Sequence, residues 1–240
     1  MDRRRFLGLA GLATAMAVAG CGGDGSSGSD PDGNGGSTGD GPSVGIRTPT
    51  NPTPEIDHPA TAELADQPVR GEFTGKMIVA FEDPSCPTCR RFHEEVYPEL
   101  ESNLIEPGKI AYVLRPYPVI YPWGEPACQA LDATFQRDAP SGWALLDHYF
   151  DRQGSFGDDT VLSRTASYLD SETSVEGSAV VDAVESGASD AAVQADLDAG
   201  RDAGLGSRTP VFAMFRDGEF LTSAAGAVSY NTLATVLGER

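Results

Sequence analysis

Two cysteines at C-x-x-C spacing, Cys86 and Cys89, follow an apolar run over residues 77–81 that predicts a buried strand. After them, Phe92 and Val96 stand at the i, i+4 spacing of a helix. Pro87 suits the first turn of that helix, where its missing N–H is not needed. Cys86 is therefore predicted at a helix N-terminus, on the exposed side of the motif and with a lowered pKa, because such a terminus favours an anion. Cys89 is predicted one turn further on the same face, with less solvent exposure and a higher pKa. Because the thiolate is the species that attacks disulfides, this pattern predicts thiol–disulfide redox chemistry.

Metal binding and an inert structural disulfide are the alternative uses of such a pair. Structural zinc takes four nitrogen or sulfur ligands. The further candidates are one cysteine and three histidines, none of which repeats the C-x-x-C spacing: Cys128, His58, His93 and His148. A proline-containing pair that opens a helix after a buried strand favours redox chemistry over both alternatives.

A membrane-tethered copper carrier is the alternative from another functional class. It would use Cys86, Cys89 and a histidine or methionine. Met77 and Met214 stand in apolar strand contexts that predict core positions, and the sequence has no Met-rich or His-rich tract. Metal content after purification under reducing conditions separates a carrier from a redox protein.

The charge composition excludes one class of partner. The 240 residues carry 36 acidic and 17 basic side chains, a formal net charge of −19, so little is available to neutralise nucleic-acid phosphates. Arginine supplies nearly all of the positive charge, since the lysines are Lys76 and Lys109 alone. This acidic, lysine-poor composition resembles that of proteins from extreme halophiles, in which dense carboxylates keep the surface hydrated when salt screens charge.

The N-terminal residues predict targeting rather than fold. Residues 1–20 combine three arginines with an apolar stretch that is short for a membrane span, and they resemble a twin-arginine export signal. The sequence Val-Ala-Gly-Cys ending at Cys21 resembles a lipobox, which implies lipid attachment at that cysteine. Residues 21–55 are rich in Gly, Ser, Asp, Thr and Pro and predict a flexible tether. Together these features predict an exported protein anchored at the outer face of the cytoplasmic membrane.

The folded domain is predicted over residues 56–240, and its elements alternate in type. Apolar runs predict strands at 69–73, 76–81, 109–115, 210–216 and 219–222. Helical periodicity predicts a helix from the cysteine pair to about residue 103, with a kink at Pro98, an insertion of helices over about 126–203, and a closing helix at 229–237. Asp217-Gly218 is a strong hairpin signal.

This order of elements resembles the thioredoxin superfamily, and within it the DsbA-like thiol–disulfide oxidoreductases. Three segments carry the resemblance: the CPTC motif after Asp83-Pro84-Ser85, the aromatic helix around Trp143 and Phe150, and the Thr209-Pro210 segment before the hairpin. The resemblance implies an α/β thioredoxin-like fold, split by the helical insertion, in which a cis Pro210 and Thr209 lie beside the active-site sulfurs. Trp143, Leu146 and Phe150 share one helical face, and from it we expect the insertion to pack over the core and to border the active-site face.

The implied function is disulfide exchange without a cofactor, with Cys86 and Cys89 cycling between disulfide and dithiol. The implied partners are cysteine-containing exported proteins and a membrane or soluble redox protein that regenerates the disulfide. The reduction potential decides the direction of exchange. Pro87-Thr88 lacks the histidine found in the most oxidising relatives, but an exported location favours the oxidase direction.

Three further positions bear on the chemistry of the cysteine pair. Many relatives carry a buried acid six residues before the first cysteine; here that residue is Ala80, which leaves Glu82 and Asp83 as the nearest carboxylates. Cys128 is interpreted as a small core residue. His93 is interpreted as a solvated residue on the helix surface.

Overall fold

The computed structural model describes residues 49–239 of the chain. Its centre is a five-stranded sheet with the strand order β1-β3-β2-β4-β5. β2 and β3 run parallel, and the other three neighbouring pairs are antiparallel. The strands are β1 (Val69–Gly71), β2 (Lys76–Glu82), β3 (Ala111–Pro116), β4 (Val211–Arg216) and β5 (Glu219–Ala225).

The helices divide into those that belong to the sheet and those that form the insertion. α1 (Pro87–Glu95), α2 (Tyr97–Leu100) and a π-helical turn (Glu101–Ile105) connect β2 to β3, and α8 (Tyr230–Leu237) closes the domain. The insertion lies between β3 and β4. It consists of α3 (Gly124–Phe135), α4 (Ala139–Asp151), α5 (Val161–Glu172), α6 (Gly177–Glu185) and α7 (Asp190–Asp202). The predicted α/β class and the position of the helical insertion are confirmed.

The central strand β2 is buried on both faces, so it contributes to two hydrophobic cores. Successive side chains of a strand point to opposite faces. Ile78 and Ala80 pack in one core with both cysteines, the insertion helices α3–α6 and α8. Met77, Val79 and Phe81 pack in the other, with α7 and the chain around Ala60. The cysteine pair therefore lies on the face of the sheet that α3–α6 cover.

The helix that follows the cysteines is interrupted, as predicted, but earlier than Pro98. α1 ends at Glu95, and Val96 takes φ −123° and ψ −45° before α2 begins. Proline lacks an N–H and its ring clashes with the carbonyl four residues before it. The break at Val96 relieves this clash ahead of the proline.

The start of the domain includes residues assigned to the tether. The backbone N–H groups of Thr50 and Asn51 donate to the Glu72 carboxylate at 2.7–3.1 Å. The chain thus contacts the domain several residues before Ile56. The export signal, Cys21 and the tether up to residue 48 lie outside the described residues. Within residues 49–239, none of the helices has the length and apolarity that a bilayer span requires.

Candidate redox site

Cys86 occupies the N-cap of α1. Its backbone is extended, with φ −80° and ψ 120°, and its carbonyl accepts the first hydrogen bond of the helix, from the Arg90 N–H at 3.1 Å. Pro87 takes the first helical position, as predicted. Both thiols of the pair are free in this structure. The helix N-terminus is therefore directed at a sulfur that can carry negative charge.

The two thiols differ in acidity, in the predicted order. The pKa of Cys86 is lowered to about 6, because a hydrogen bond from the Cys89 thiol and the N–H groups of Thr88 and Cys89 outweigh the effect of burial. Burial raises the pKa of Cys89 well above its usual value, and the charge of Glu82 acts in the same direction. At neutral pH, Cys86 is the thiolate of the pair and Cys89 is the thiol.

The burial of Cys86 differs from the expectation. The sequence placed it on the exposed side of the motif, yet it is 3% exposed, and Cys89 is fully buried. The Thr209 carbonyl covers Cys86: its oxygen lies 3.3 Å from Sγ and accepts a hydrogen bond when Cys86 is in the thiol form. Substrate must therefore reach a sulfur that is almost fully covered in this structure.

The pairing of β4 with β2 brings Thr209 and Pro210 close to the cysteines. Val211, the first residue of β4, pairs with Phe81 near the carboxyl end of β2. The peptide bond between Thr209 and Pro210 is cis, as the resemblance implied. All four residues assigned to the site thus meet at one end of the sheet, although a long insertion separates them in sequence.

Asp83 fastens the cysteine motif to the loop between β3 and α3. One of its carboxylate oxygens accepts hydrogen bonds from the Ser85 N–H (2.8 Å) and hydroxyl (2.6 Å). The other accepts from the Val119 and Ile120 N–H groups at 2.9 and 2.8 Å. Asp83 is fully buried, and burial raises its pKa. This carboxylate therefore organises the site without contacting either sulfur.

Gln153, in the short 3-10 turn that follows the aromatic helix α4, is a second organising residue. Its Nε2 donates to the carbonyls of Pro84 (2.8 Å) and Cys86 (3.0 Å). Sequence reasoning missed Gln153 because no local pattern distinguishes it from a surface glutamine. The insertion thus contributes a direct polar contact to the turn that holds Cys86.

The aromatic helix α4 packs where the sequence predicted. Trp143, Leu146 and Phe150 are all at most 2% exposed and belong to the same core as the cysteines. The Phe150 ring stacks on His93 with 4.3 Å between ring centroids. The insertion therefore packs over the core and borders the site.

Glu82 and His93 form a buried pair that contradicts one sequence interpretation. Glu82 is fully buried, and the His93 side chain is only 8% exposed instead of solvated. His93 Nε2 lies 2.8 Å from Glu82 Oε2, and the Tyr112 hydroxyl donates to Glu82 Oε1. The buried position of Glu82 could have been predicted from strand alternation, since Glu82 lies two residues after Ala80 on the same face of β2.

The remaining candidates do not join the site. Cys128 is fully buried in α3, in agreement with its interpretation as a core residue, and burial raises its pKa well above the usual value. Met77 and Met214 are also buried, in the two cores. In the part of the chain that is described, no group of three or more His, Cys, Asp or Glu side chains could hold a metal ion. The copper alternative therefore gains no ligand cluster of these residues there.

The sequence matches a family model described as thioredoxin over residues 64–233. Two curated relatives match shorter parts. A Rickettsia prowazekii protein named as a protein-disulfide oxidoreductase is 39% identical over 41 residues, 17% of this chain and 15% of that protein. A Bacillus cereus protein named "Probable disulfide bond formation protein D" is 29% identical over 76 residues, 32% of this chain and 35% of that protein. The chain thus matches well under half the length of these relatives.

Solved structures agree in fold over most of the domain. BdbD from Bacillus subtilis aligns with a TM-score of 0.63 and 18% identity, covering 73% of this chain and 95% of that one. The thiol-disulfide exchange protein alpha-DsbA2 from Wolbachia pipientis aligns with a TM-score of 0.60 and 20% identity, covering 75% and 89%. The family match spans the cysteine pair, the insertion and the Thr209-Pro210 segment, and on this basis the chain belongs to the thioredoxin family, with the fold of its DsbA-type members.

Proposed function

We propose that this protein is a thiol–disulfide oxidoreductase of exported proteins that works through Cys86 and Cys89. The observation that carries the proposal is the asymmetry of the pair. Cys86, with a pKa lowered to about 6, sits at the N-terminus of α1 beside the Thr209 carbonyl, and Cys89, with a raised pKa, lies buried behind it. An attacking or leaving thiolate and a protonated resolving thiol are the two species that disulfide exchange requires.

In the oxidase direction, a substrate thiolate attacks Sγ of Cys86 in the Cys86–Cys89 disulfide. A new bond forms between the substrate sulfur and Cys86, and Cys89 leaves with the electron pair and takes up a proton. A second substrate thiolate then attacks the first substrate sulfur and expels Cys86 as a thiolate. The substrate gains a disulfide, and the protein is left as the dithiol.

The acidity of Cys86 supports the oxidase direction. Stabilising the Cys86 thiolate stabilises the reduced protein, and this makes its disulfide more oxidising. Because the pKa of Cys86 is lowered, the stabilisation of the reduced protein is present above the ordinary thiol pKa and is lost as pH falls through about 6. The Bacillus cereus relative is named for disulfide bond formation and the similar Wolbachia structure for thiol-disulfide exchange, which supports the same class of chemistry.

The expected partners follow from this direction and from the predicted export. Substrates are exported proteins with reduced cysteines, and a separate membrane or soluble redox protein regenerates the disulfide. The exchange itself needs no cofactor. The formal charge of −19 supports partners other than nucleic acid.

Oxidative refolding of a reduced, unfolded protein with several cysteines tests the function. The oxidised protein should transfer its disulfide to this substrate stoichiometrically and regain it from an added oxidant. The measurement is thiol loss in the substrate over time, with the Cys86→Ser protein as the blank. Equal rates with the wild-type protein and with the blank would refute the proposal.

Lipid attachment at Cys21 is a separate proposal, supported by the lipobox resemblance and by the tether composition of residues 21–55. Cys21→Ala should move the protein from the membrane fraction into the soluble fraction, because the acyl chains would be the anchor. Disulfide-exchange activity should stay unchanged, since the anchor lies outside the folded domain. A variant that remains in the membrane fraction at high salt would contradict the anchor.

A further inference from the structure

A proton must reach or leave Cys89 in every turnover, yet this sulfur is fully buried. As a leaving group Cys89 takes up a proton, and as the resolving nucleophile it must lose one. Because Cys89 has no solvent exposure, water cannot exchange protons with it directly. The strand position at which many relatives carry a buried acid holds Ala80, which cannot exchange protons.

Glu82 is positioned to take this role from a different place on the strand. It lies on the same face of β2 as Ala80, one side-chain repeat closer to the cysteine motif. Tyr112, opposite Ile78 on β3, donates to its Oε1, and His93 contacts its Oε2 at 2.8 Å. His93 stands one helical turn beyond Cys89 in α1, so the resolving cysteine and the histidine share a helix face. The negative charge of Glu82 helps to raise the pKa of Cys89, so the carboxylate acts electrostatically on this sulfur.

The far side of this pair opens to a cavity of about 390 Å³ between α1, α2 and α4. His93 lines it, with its ring held between Tyr97 and Phe150 at centroid distances of 4.7 and 4.3 Å. A cavity of this size and polarity has room for water. Its other polar walls are four carboxylates and one guanidinium: Glu94, Glu101, Asp147, Asp151 and Arg70.

We propose that Glu82 and His93 carry protons between Cys89 and the water of this cavity. When the Cys86–Cys89 bond breaks, the Glu82–His93 pair gives a proton to the Cys89 thiolate and regains one from cavity water. When Cys89 resolves a mixed disulfide, the pair accepts its proton, and the thiolate electron pair forms the bond to Cys86 as the substrate thiolate leaves. This route deepens the proposed function and rests on it.

Glu82 affects the rate at which Cys89 attacks in two opposite ways, through its charge and through proton transfer, and this makes the inference testable. The negative charge of Glu82 helps to raise the pKa of Cys89, so removing that charge alone would make Cys89 more acidic and a faster nucleophile at neutral pH. Removing a proton acceptor would instead slow the attack by Cys89. The groups that face the pair, Tyr112 from β3, Tyr97 from α2, and Arg70 and Asp147 across the cavity, stay the same in a glutamine variant.

The experiment mixes the reduced protein with dithiobis(nitrobenzoate) in a Cys21→Ser background. The first release of chromophore reports attack by Cys86, and the second reports attack by Cys89 on the mixed disulfide. Glu82→Gln should slow the second phase by about tenfold or more at neutral pH and leave the first within about twofold. His93→Gln should slow the second phase in the same way. The matched control is Glu95→Gln, which removes an exposed carboxylate of α1 and should change neither phase.

The pH dependence separates a relay from a folding defect. The slowing by Glu82→Gln should shrink as pH rises toward the raised pKa of Cys89, because a growing fraction of Cys89 is then already a thiolate and needs no proton acceptor during the attack. A second phase that is unchanged or faster in Glu82→Gln, or a slowing that persists at every pH, would overturn the relay. If Glu82→Gln fails to fold, the second phase of His93→Gln decides. A wild-type protein with no second phase would instead refute the disulfide exchange of the proposed function.

Discussion

Replacing Cys89 by serine should turn the protein into a covalent trap for its substrates, and Cys86→Ser should abolish trapping and bring exchange activity to background. The reason is the acidity of Cys86, whose pKa of about 6 makes it the sulfur that bonds to the substrate. Without Cys89, a mixed disulfide formed at Cys86 has no buried thiol behind it to resolve it. Without Cys86, the remaining thiol is fully buried and has a raised pKa.

The measurement is non-reducing electrophoresis of each variant after incubation with a reduced multi-cysteine protein and an oxidant. Cys128→Ala is the matched control, since Cys128 is fully buried in α3, and it should trap no more than the wild type. Alkylation adds a quantitative check. With a pKa of about 6, the Cys86 thiolate fraction, and hence the alkylation rate, should fall about tenfold between pH 7 and pH 5. Equal trapping by Cys86→Ser and Cys89→Ser would reverse the assignment of the nucleophile.

Local signals account for the parts of the fold that the sequence predicted. The apolar run before the cysteines predicts β2 because a strand buried on both faces needs no polar alternation. Asp217 and Gly218 predict the β4–β5 hairpin because a tight two-residue turn needs positive φ, and the structure has φ 53° and 82° there. Proline after Cys86 similarly fixes the start of α1. Each of these inferences needs only a few neighbouring residues.

The unpredicted parts depend on contacts between residues that are distant in sequence. Cys86 is buried because the Thr209 segment covers it, and Gln153 becomes important because α4 ends against the cysteine turn. His93 stands on a helix with charged neighbours, so its local sequence resembles a solvated face. Only the packing of Phe150 and the position of Glu82 show that it is enclosed. Strand alternation alone could have placed Glu82 beside Ala80.

Asp83→Ala should be among the most damaging substitutions outside the cysteine pair. The change leaves the N–H groups of Ser85, in the cysteine turn, and of Val119 and Ile120, in the β3–α3 loop, without their acceptor. An unsatisfied buried donor costs about 1–3 kcal/mol, and the two loop donors are only partly buried, so we expect the free energy of unfolding to fall by about 3 kcal/mol. Asn is also expected to be poorly tolerated, because both oxygens of Asp83 accept hydrogen bonds and an amide offers one acceptor.

Exchange activity should fall together with stability in Asp83→Ala, because the same carboxylate positions the turn that carries Cys86. Urea unfolding measures the first effect, and oxidative refolding under conditions where the variant is folded measures the second. The matched control is Asp138→Ala. Asp138 caps α4 through the Ser141 N–H and hydroxyl at 2.9 and 2.5 Å but makes none of the hydrogen bonds that hold the cysteine turn. Its loss should cost about 1 kcal/mol and leave exchange unchanged. If the two aspartate variants lost stability and activity equally, Asp83 would be an ordinary capping residue, and the position of Cys86 would depend on Gln153 and Thr209 instead.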